Sequence, residues 1–243
     1  MIIEVTGPSG VGKSAYIEEI LRELSKDGIQ TGAIHTAQSN KCLSIPSAFS
    51  ELGSQNIITD ILALPWSLLF ALNNLQFVSF SIRSILNADA SLYEKIAILR
   101  SFIRKSGIRF FLNRKRYSEI VIIVDEGLFH SSHNFLCSSK RCASNKKIKL
   151  FFDSCPMPDK LIILNAEKEK LLERLDRRGD LSPRVSDRVS LKEFVANSHK
   201  LFKKFEALSV SNKSRILLAE NSCCQLDAVQ LGIDYILGSS NEQ

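Results

Sequence analysis

The chain has 243 residues, 44% hydrophobic and 24% charged, with a formal net charge of +6 and a pI near 9. That balance excludes a disordered or low-complexity chain and leaves room for a sizeable buried core, with disorder expected only at Ser239–Gln243. The positive charge favours anionic partners. It gathers in Arg100–Arg116 and Lys140–Lys149, both expected as solvated surface, and in the arginine cluster Arg174–Arg188.

Ile2–Val5 reads as a short apolar strand that runs directly into a glycine-rich loop. Ser14–Lys26 has helical spacing, with Ile17, Ile20, Leu21 and Leu24 on one face, and Gly28 sits where a helix-terminating glycine belongs. Thr31–Ala37 is a second strand. The 45–115 segment reads as helical, with Pro46 and Pro65 as breaks and Ile57–Leu72, Phe77–Leu86 and Leu92–Ile103 as its apolar stretches. Between Asp60 and Arg83 no residue carries a charge. Pro65, Asn73, Asn74 and several serines interrupt that stretch, so buried or interface-forming helices are expected rather than a membrane span.

Ile120–Val124 is an uninterrupted β-branched run, as a strand covered on both faces requires. The polar stretch Ser131–Lys149 reads as loop or short helix. Leu161–Leu164 and Arg215–Ala219 complete five strands, alternating with helices over Glu167–Arg177, Leu191–Leu208 and Gln225–Leu237. This alternation predicts a single α/β domain over 1–243, three-layered, with a five-stranded, mainly parallel sheet.

Gly7-Pro8-Ser9-Gly10-Val11-Gly12-Lys13-Ser14 matches G-x-x-x-x-G-K-[ST] in full, between a strand and a helix. Gly7, Gly10 and Gly12 permit backbone shapes and approaches that a Cβ would block. Amides from Ser9 through Val11 to Ser14 then converge on phosphate oxygens at a helix N-terminus. Lys13 is expected to bridge the β- and γ-phosphates of ATP, and the Ser14 hydroxyl to ligate Mg²⁺.

Asp125 and Glu126 close the third strand, at the sheet edge that faces a nucleotide in a parallel α/β fold. Paired acids at a buried strand end call for a cation or a partner. In a phosphotransferase Asp125 serves as base or metal-shell ligand and Glu126 as its partner. In an ATPase or nucleotide-sensing module Glu126 activates water. Arg174, Arg177 and Arg178, followed by Gly179, Arg184 and Arg188, form a closing segment over 171–188 whose guanidinium groups suit the charge of a transferring phosphoryl group. A switch GTPase is disfavoured, because no Asn-Lys-x-Asp motif occurs and Asp125 lacks a glycine three residues on.

Three weaker signals accompany these. His130, His133, Cys137, Cys142 and Cys155 fall close together, but their spacing fits no zinc pattern, and reduced thiols with loop histidines are expected. His35, ending the second strand, reaches the same sheet edge. The six cysteines (also Cys42, Cys223 and Cys224) and an N-terminus that enters a strand at once, with no basic leader, predict a cytoplasmic protein.

The order of Gly7–Ser14, Asp125-Glu126-Gly127, Pro158–Leu164 and Leu171–Gly179 resembles the thymidylate kinase-like branch of the nucleoside monophosphate kinases. The resemblance implies a P-loop fold, ATP as donor, lid arginines including Arg174 and Arg178, and an acceptor pocket under the helical 45–115 insertion. Thymidylate kinases carry Asp-Arg where this chain has Asp125-Glu126, so the expected acceptor is a different small molecule. A small-molecule kinase is the leading expectation, with a homodimer through the apolar 57–103 helices and no specific nucleic acid. A nucleic-acid end kinase, carried by the basic runs, would show steep salt dependence.

Overall fold

The structure, a computed structural model, describes residues 1–35, 57–114, 120–178, 188–209, 215–221 and 225–238. Pro46, Cys42, Gly179, Arg184, Cys223 and Cys224 therefore lie outside the described residues, as do half of the closing segment and part of the helical insertion.

Five strands, β1 (Ile2–Thr6), β2 (Thr31–His35), β3 (Val121–Asp125), β4 (Lys160–Asn165) and β5 (Ile216–Glu220), pair in the order β2-β3-β1-β4-β5. All four pairings are parallel. β1, β3 and β4 are buried almost throughout, which is why they read as continuous apolar runs without alternation. Parallel pairing sends every strand's C-terminal end to one edge, where Thr6, His35, Asp125, Asn165 and Glu220 finish together.

Helices cover both faces. α1 (Lys13–Lys26) leaves the phosphate loop and buries Ile17, Ile20 and Leu24. α2 (Ile57–Asn73), α3 (Leu75–Leu86) and α4 (Leu92–Arg114) form the helical insertion. A 3₁₀ turn (Phe129–Ser131) runs into α5 (Ser132–Leu136), and α6 (Asn145–Ser154) follows a short hairpin pinned at Cys137 and Cys142. α7 (Lys168–Arg178), α8 (Arg188–Ser209) and α9 (Gln225–Leu237) complete the chain. Phe77, Phe129, Phe151, Phe202 and Phe205 meet between the insertion and the sheet layers, with ring centroids 4.8–5.9 Å apart along Phe77–Phe151, Phe151–Phe129, Phe129–Phe205 and Phe205–Phe202.

Two sequence expectations are corrected. Pro65 does not break the helix but lies inside α2. The turn around it is held by a close crossing with α4, where a Cβ on Gly107 would stand 2.5 Å from the Ala63 carbonyl oxygen; packing there outweighs the lost amide bond. The basic run of α4 is not wholly solvated. Arg104 and Lys105 are buried, and Arg100 and Arg104 both bind the Asp60 carboxylate, at 2.6 and 2.9 Å.

No single helix among the described residues is long and apolar enough to cross a membrane; one pair, Asp60–Asn73 with Leu75–Leu86, meets the length and composition test but is bent by 114°. Its outer face is exposed: Ile61, Leu62, Leu68, Leu72 and Leu75 show more than half of their surface.

Candidate functional site

The phosphate loop has the backbone that its glycines permit. Gly10 and Gly12 adopt φ of 83° and 91°, in the left-handed region that side chains avoid. A Cβ at Gly7 would stand 2.4 Å from the Leu164 carbonyl oxygen and one at Gly10 2.9 Å from that of Leu171, so β4 and α7 close tightly behind the loop. Gly12 caps α1, which presents its first N–H groups and its dipole to the loop's hollow. That concavity, with Lys13 at its centre and Ser14 exposed at the helix start, fits a polyphosphate with its divalent cation.

Two side chains hold the loop from behind. Arg174 on α7 donates to the Val11 carbonyl at 3.0 Å and to the Asn221 carbonyl at 3.1 Å. The Asn221 amide, just past β5, donates to the same Val11 carbonyl at 2.8 Å. Sequence reasoning missed Asn221, which stands alone after a strand with no motif to mark it. Arg177, expected beside Arg174 in the lid, is an exposed residue paired with Glu173 at 2.6 Å. Arg188 is also exposed, 3.9 Å from Asp176. The side chains of Arg178 and His35 lie outside the described residues; His35 pairs with Asp125 in the β2–β3 register.

Of the two acids that end β3, Glu126 faces Lys13. Asp125 is buried at the end of β3. Glu126 is the one non-glycine among the described residues with positive φ, 56°, a conformation costing about 1–2 kcal/mol. It turns the carboxylate onto Lys13, with Oε1 3.5 Å from Nζ; the lysine also donates to the Gly7 carbonyl at 3.4 Å.

His130 completes this group, and only the fold brings it there. Its Nε2 lies 3.5 Å from Glu126 Oε1, and its Nδ1 shares a hydrogen bond of 3.0 Å with the Thr6 hydroxyl at the end of β1. The buried carboxylate of Glu4 accepts from the amides of Phe129 and His130 at 3.1 and 2.8 Å, anchoring the 3₁₀ turn that carries the histidine. Gly127 is required here, since a Cβ would meet the Glu4 carboxyl carbon at 2.6 Å. The sequence does contain one signal for Glu4, a lone charge in the apolar run Ile2–Val5. His133 shares a hydrogen bond with Ser198 on α8 and lies 5.3 Å from the His130 ring.

These contacts set the charges. Nearby His130 and then Lys13 hold the Glu126 carboxyl well below the usual carboxylate range, against its burial. Burial pushes the His130 imidazole well below its usual value, against the pull of Glu126. The two shifts are linked: His130 stabilises the carboxylate electrostatically only when protonated, and burial removes that proton near neutrality. At pH 7 Lys13 is therefore the cation that keeps Glu126 ionised. Burial also raises the Glu4 carboxyl, despite its two amide donors and the nearby Lys105 and Arg109.

Among the described residues, no group of three or more His, Cys, Asp or Glu side chains converges as a metal site would require. Mg²⁺ would instead be held by Ser14, Asp125 and the phosphates themselves, as a P-loop cation is.

No protein-family model matches the chain, and no curated protein matches it. Among solved structures, a deoxyadenosine kinase from M. mycoides with bound dATP is similar across 100% of both chains, at 16% identity and a TM-score of 0.46. The frame itself is α/β, with a five-stranded parallel sheet and a glycine-rich loop between β1 and α1.

Proposed function

We propose that this chain is an ATP-dependent phosphotransferase that moves the γ-phosphoryl group of Mg-ATP to a small-molecule acceptor. The observation that carries the reading is the opposition of Lys13 and Glu126 across the mouth of the phosphate loop, with Asp125 buried beside them. The loop amides from Gly7 to Ser14, with Lys13, hold the β- and γ-phosphates. Ser14 and Asp125 would hold Mg²⁺, which would supply positive charge for the oxygens of the transferring phosphoryl group and the leaving diphosphate.

Glu126 has two states in this scheme. Facing Lys13 it is ionised and binds protons weakly. When Lys13 turns to phosphate the carboxylate loses that cation, its proton affinity rises, and it can accept the proton of an acceptor hydroxyl. Arg174 keeps the loop in shape through Val11. Arg177 and Arg178 supply lid charge from the C-terminal end of α7.

The test is ATP consumption by the purified chain with Mg²⁺, alone and against nucleosides, nucleoside monophosphates, sugars and sugar phosphates. Turnover that depends on one acceptor and yields its phosphorylated product supports the kinase. Brisk acceptor-independent hydrolysis would replace it with an ATPase in which Glu126 activates water.

A further inference from the structure

A second polar concavity lies away from the phosphate loop. It is bounded by α3, the turn after it, α5, the Cys137–Cys142 hairpin and the start of α6, and encloses about 510 Å³. A neighbouring cleft of about 360 Å³ continues it along α3, and the two share Ser84, Asn87 and Lys147. No residue of the phosphate loop, of β3 or of α7 lines either one. The first volume lies within the range of small-molecule sites.

Ser84 is only 4% exposed, lies on the wall common to both clefts, and its hydroxyl has no hydrogen-bond partner among the described residues. A buried hydroxyl without a partner is costly unless something else satisfies it. The neighbouring Ser81 shows the ordinary solution, donating to the Phe77 carbonyl one turn back at 2.8 Å.

Positive charge faces the same space. Lys147 is half-buried, with its ammonium 3.3 Å from the Phe135 carbonyl and 5.8 Å from the centre of the Phe80 ring. One carbonyl leaves two of its three donors available. Burial, and then Arg141, lowers its proton affinity, as expected of an ammonium with no anion beside it. The Arg141 guanidinium makes no ion pair among the described residues, and Arg83 stands at the far lip. Asp89, the one acid on the wall, is already bound by Lys140 at 2.6 Å. The N-terminus of α6, capped by Ser144, opens on the same wall and adds its dipole. Ile98, Phe135, Leu136 and Ala143 supply an apolar floor.

The geometry points to a binding site here for a small phosphate monoester with an apolar body, its phosphate held by Lys147 and Arg141 beside the N-terminus of α6 and its body on the apolar floor. The inference uses no residue of the phosphate loop or of the strand-end acids, so it can be tested with the phosphate loop disabled. α5 separates the two, with His130 and His133 reaching the first site and Asn134 to Cys137 lining the second.

The probe is phenyl phosphate, titrated by calorimetry and amide NMR into full-length Lys13→Ala protein, which disables the phosphate loop. Saturable binding is expected, with amide shifts in α3 and the start of α6. Lys147→Ala and Arg141→Ala each weaken it at least tenfold, and phenol in place of phenyl phosphate does not bind. Ser84→Ala leaves the affinity unchanged while raising the melting temperature of the empty protein, because an unpartnered buried hydroxyl has been removed. A fold check on each variant by circular dichroism separates lost binding from lost structure. Absence of saturable binding, or equal affinity in folded Lys147→Ala protein, would each overturn the site.

Discussion

Glu126→Gln tests the electrostatic logic of the proposed reaction centre, and its two consequences run in opposite directions. Glu126 Oε1 lies 3.5 Å from Lys13 Nζ. At an effective dielectric of roughly 20, that separation corresponds to an attraction of about 5 kcal/mol. The Glu126 side chain is 29% exposed, so solvent screening and the entropy of a long lysine chain reduce the net value to about 1–2 kcal/mol. A triphosphate must displace this carboxylate from Lys13 and also sit near its negative charge. Replacing it with the neutral amide removes both penalties and tightens Mg-ATP binding by roughly 5- to 30-fold. The same change removes the proton acceptor, and kcat falls by about 10²–10⁴. Calorimetric titration with Mg-ATP and a coupled turnover assay read the two effects on one preparation. Unchanged or weaker ATP binding would refute the competition between Glu126 and phosphate for Lys13. A kcat within tenfold of the parent would remove Glu126 from the chemistry.

Three further outcomes follow from the same structure. Arg174→Ala and Asn221→Ala both strip a donor from the Val11 carbonyl, so each raises the KM for ATP, and the double variant departs from additivity by about 0.5–3 kcal/mol in a thermodynamic cycle, because the two share one acceptor. Stability depends on pH through His130. The buried ring stays neutral where an unfolded histidine titrates near 6.5, so stability is complete above that value and declines as pH falls below it, by about 1.4 kcal/mol per pH unit. The depressed Glu126 carboxyl adds a second loss below its ordinary value of 4.5, and thermal melts from pH 8 to 4 on the parent and on His130→Gln resolve the two, the variant losing the first. Finally, Ile61, Leu62, Leu68, Leu72 and Leu75 expose apolar surface along α2 and into α3 on the scale of an interaction patch; a homodimer through this face predicts that Leu68→Glu shifts the sedimentation coefficient to that of a monomer while leaving ATP turnover per chain in place.

Much of this protein was legible before any coordinates. The phosphate loop is a contiguous motif whose glycines, lysine and serine act through local backbone geometry, so its eight residues could be recognised in the sequence alone. The strand runs at Ile2, Ile122 and Leu161 could be read because a strand buried on both faces must be apolar at every position. Asp125 and Glu126 were legible for a related reason, as charges that end such a run.

What only the tertiary structure decided is everything built from residues far apart in sequence. His130 reaches Glu126 because Glu4, 126 residues away, fixes the amide that precedes its ring. Arg174 faces the back of the loop because β4 and α7 pack behind Gly7 and Gly10. Asn221 meets Val11 across 210 residues. Pro65 stays helical because Gly107 lets α4 approach α2 closely at Ala63. Local sequence encodes torsional preference and burial period, which are nearest-neighbour properties. The partners of a buried charge or carbonyl are set by which elements the sheet order and helix crossings bring together, and no stretch of contiguous residues carries that information.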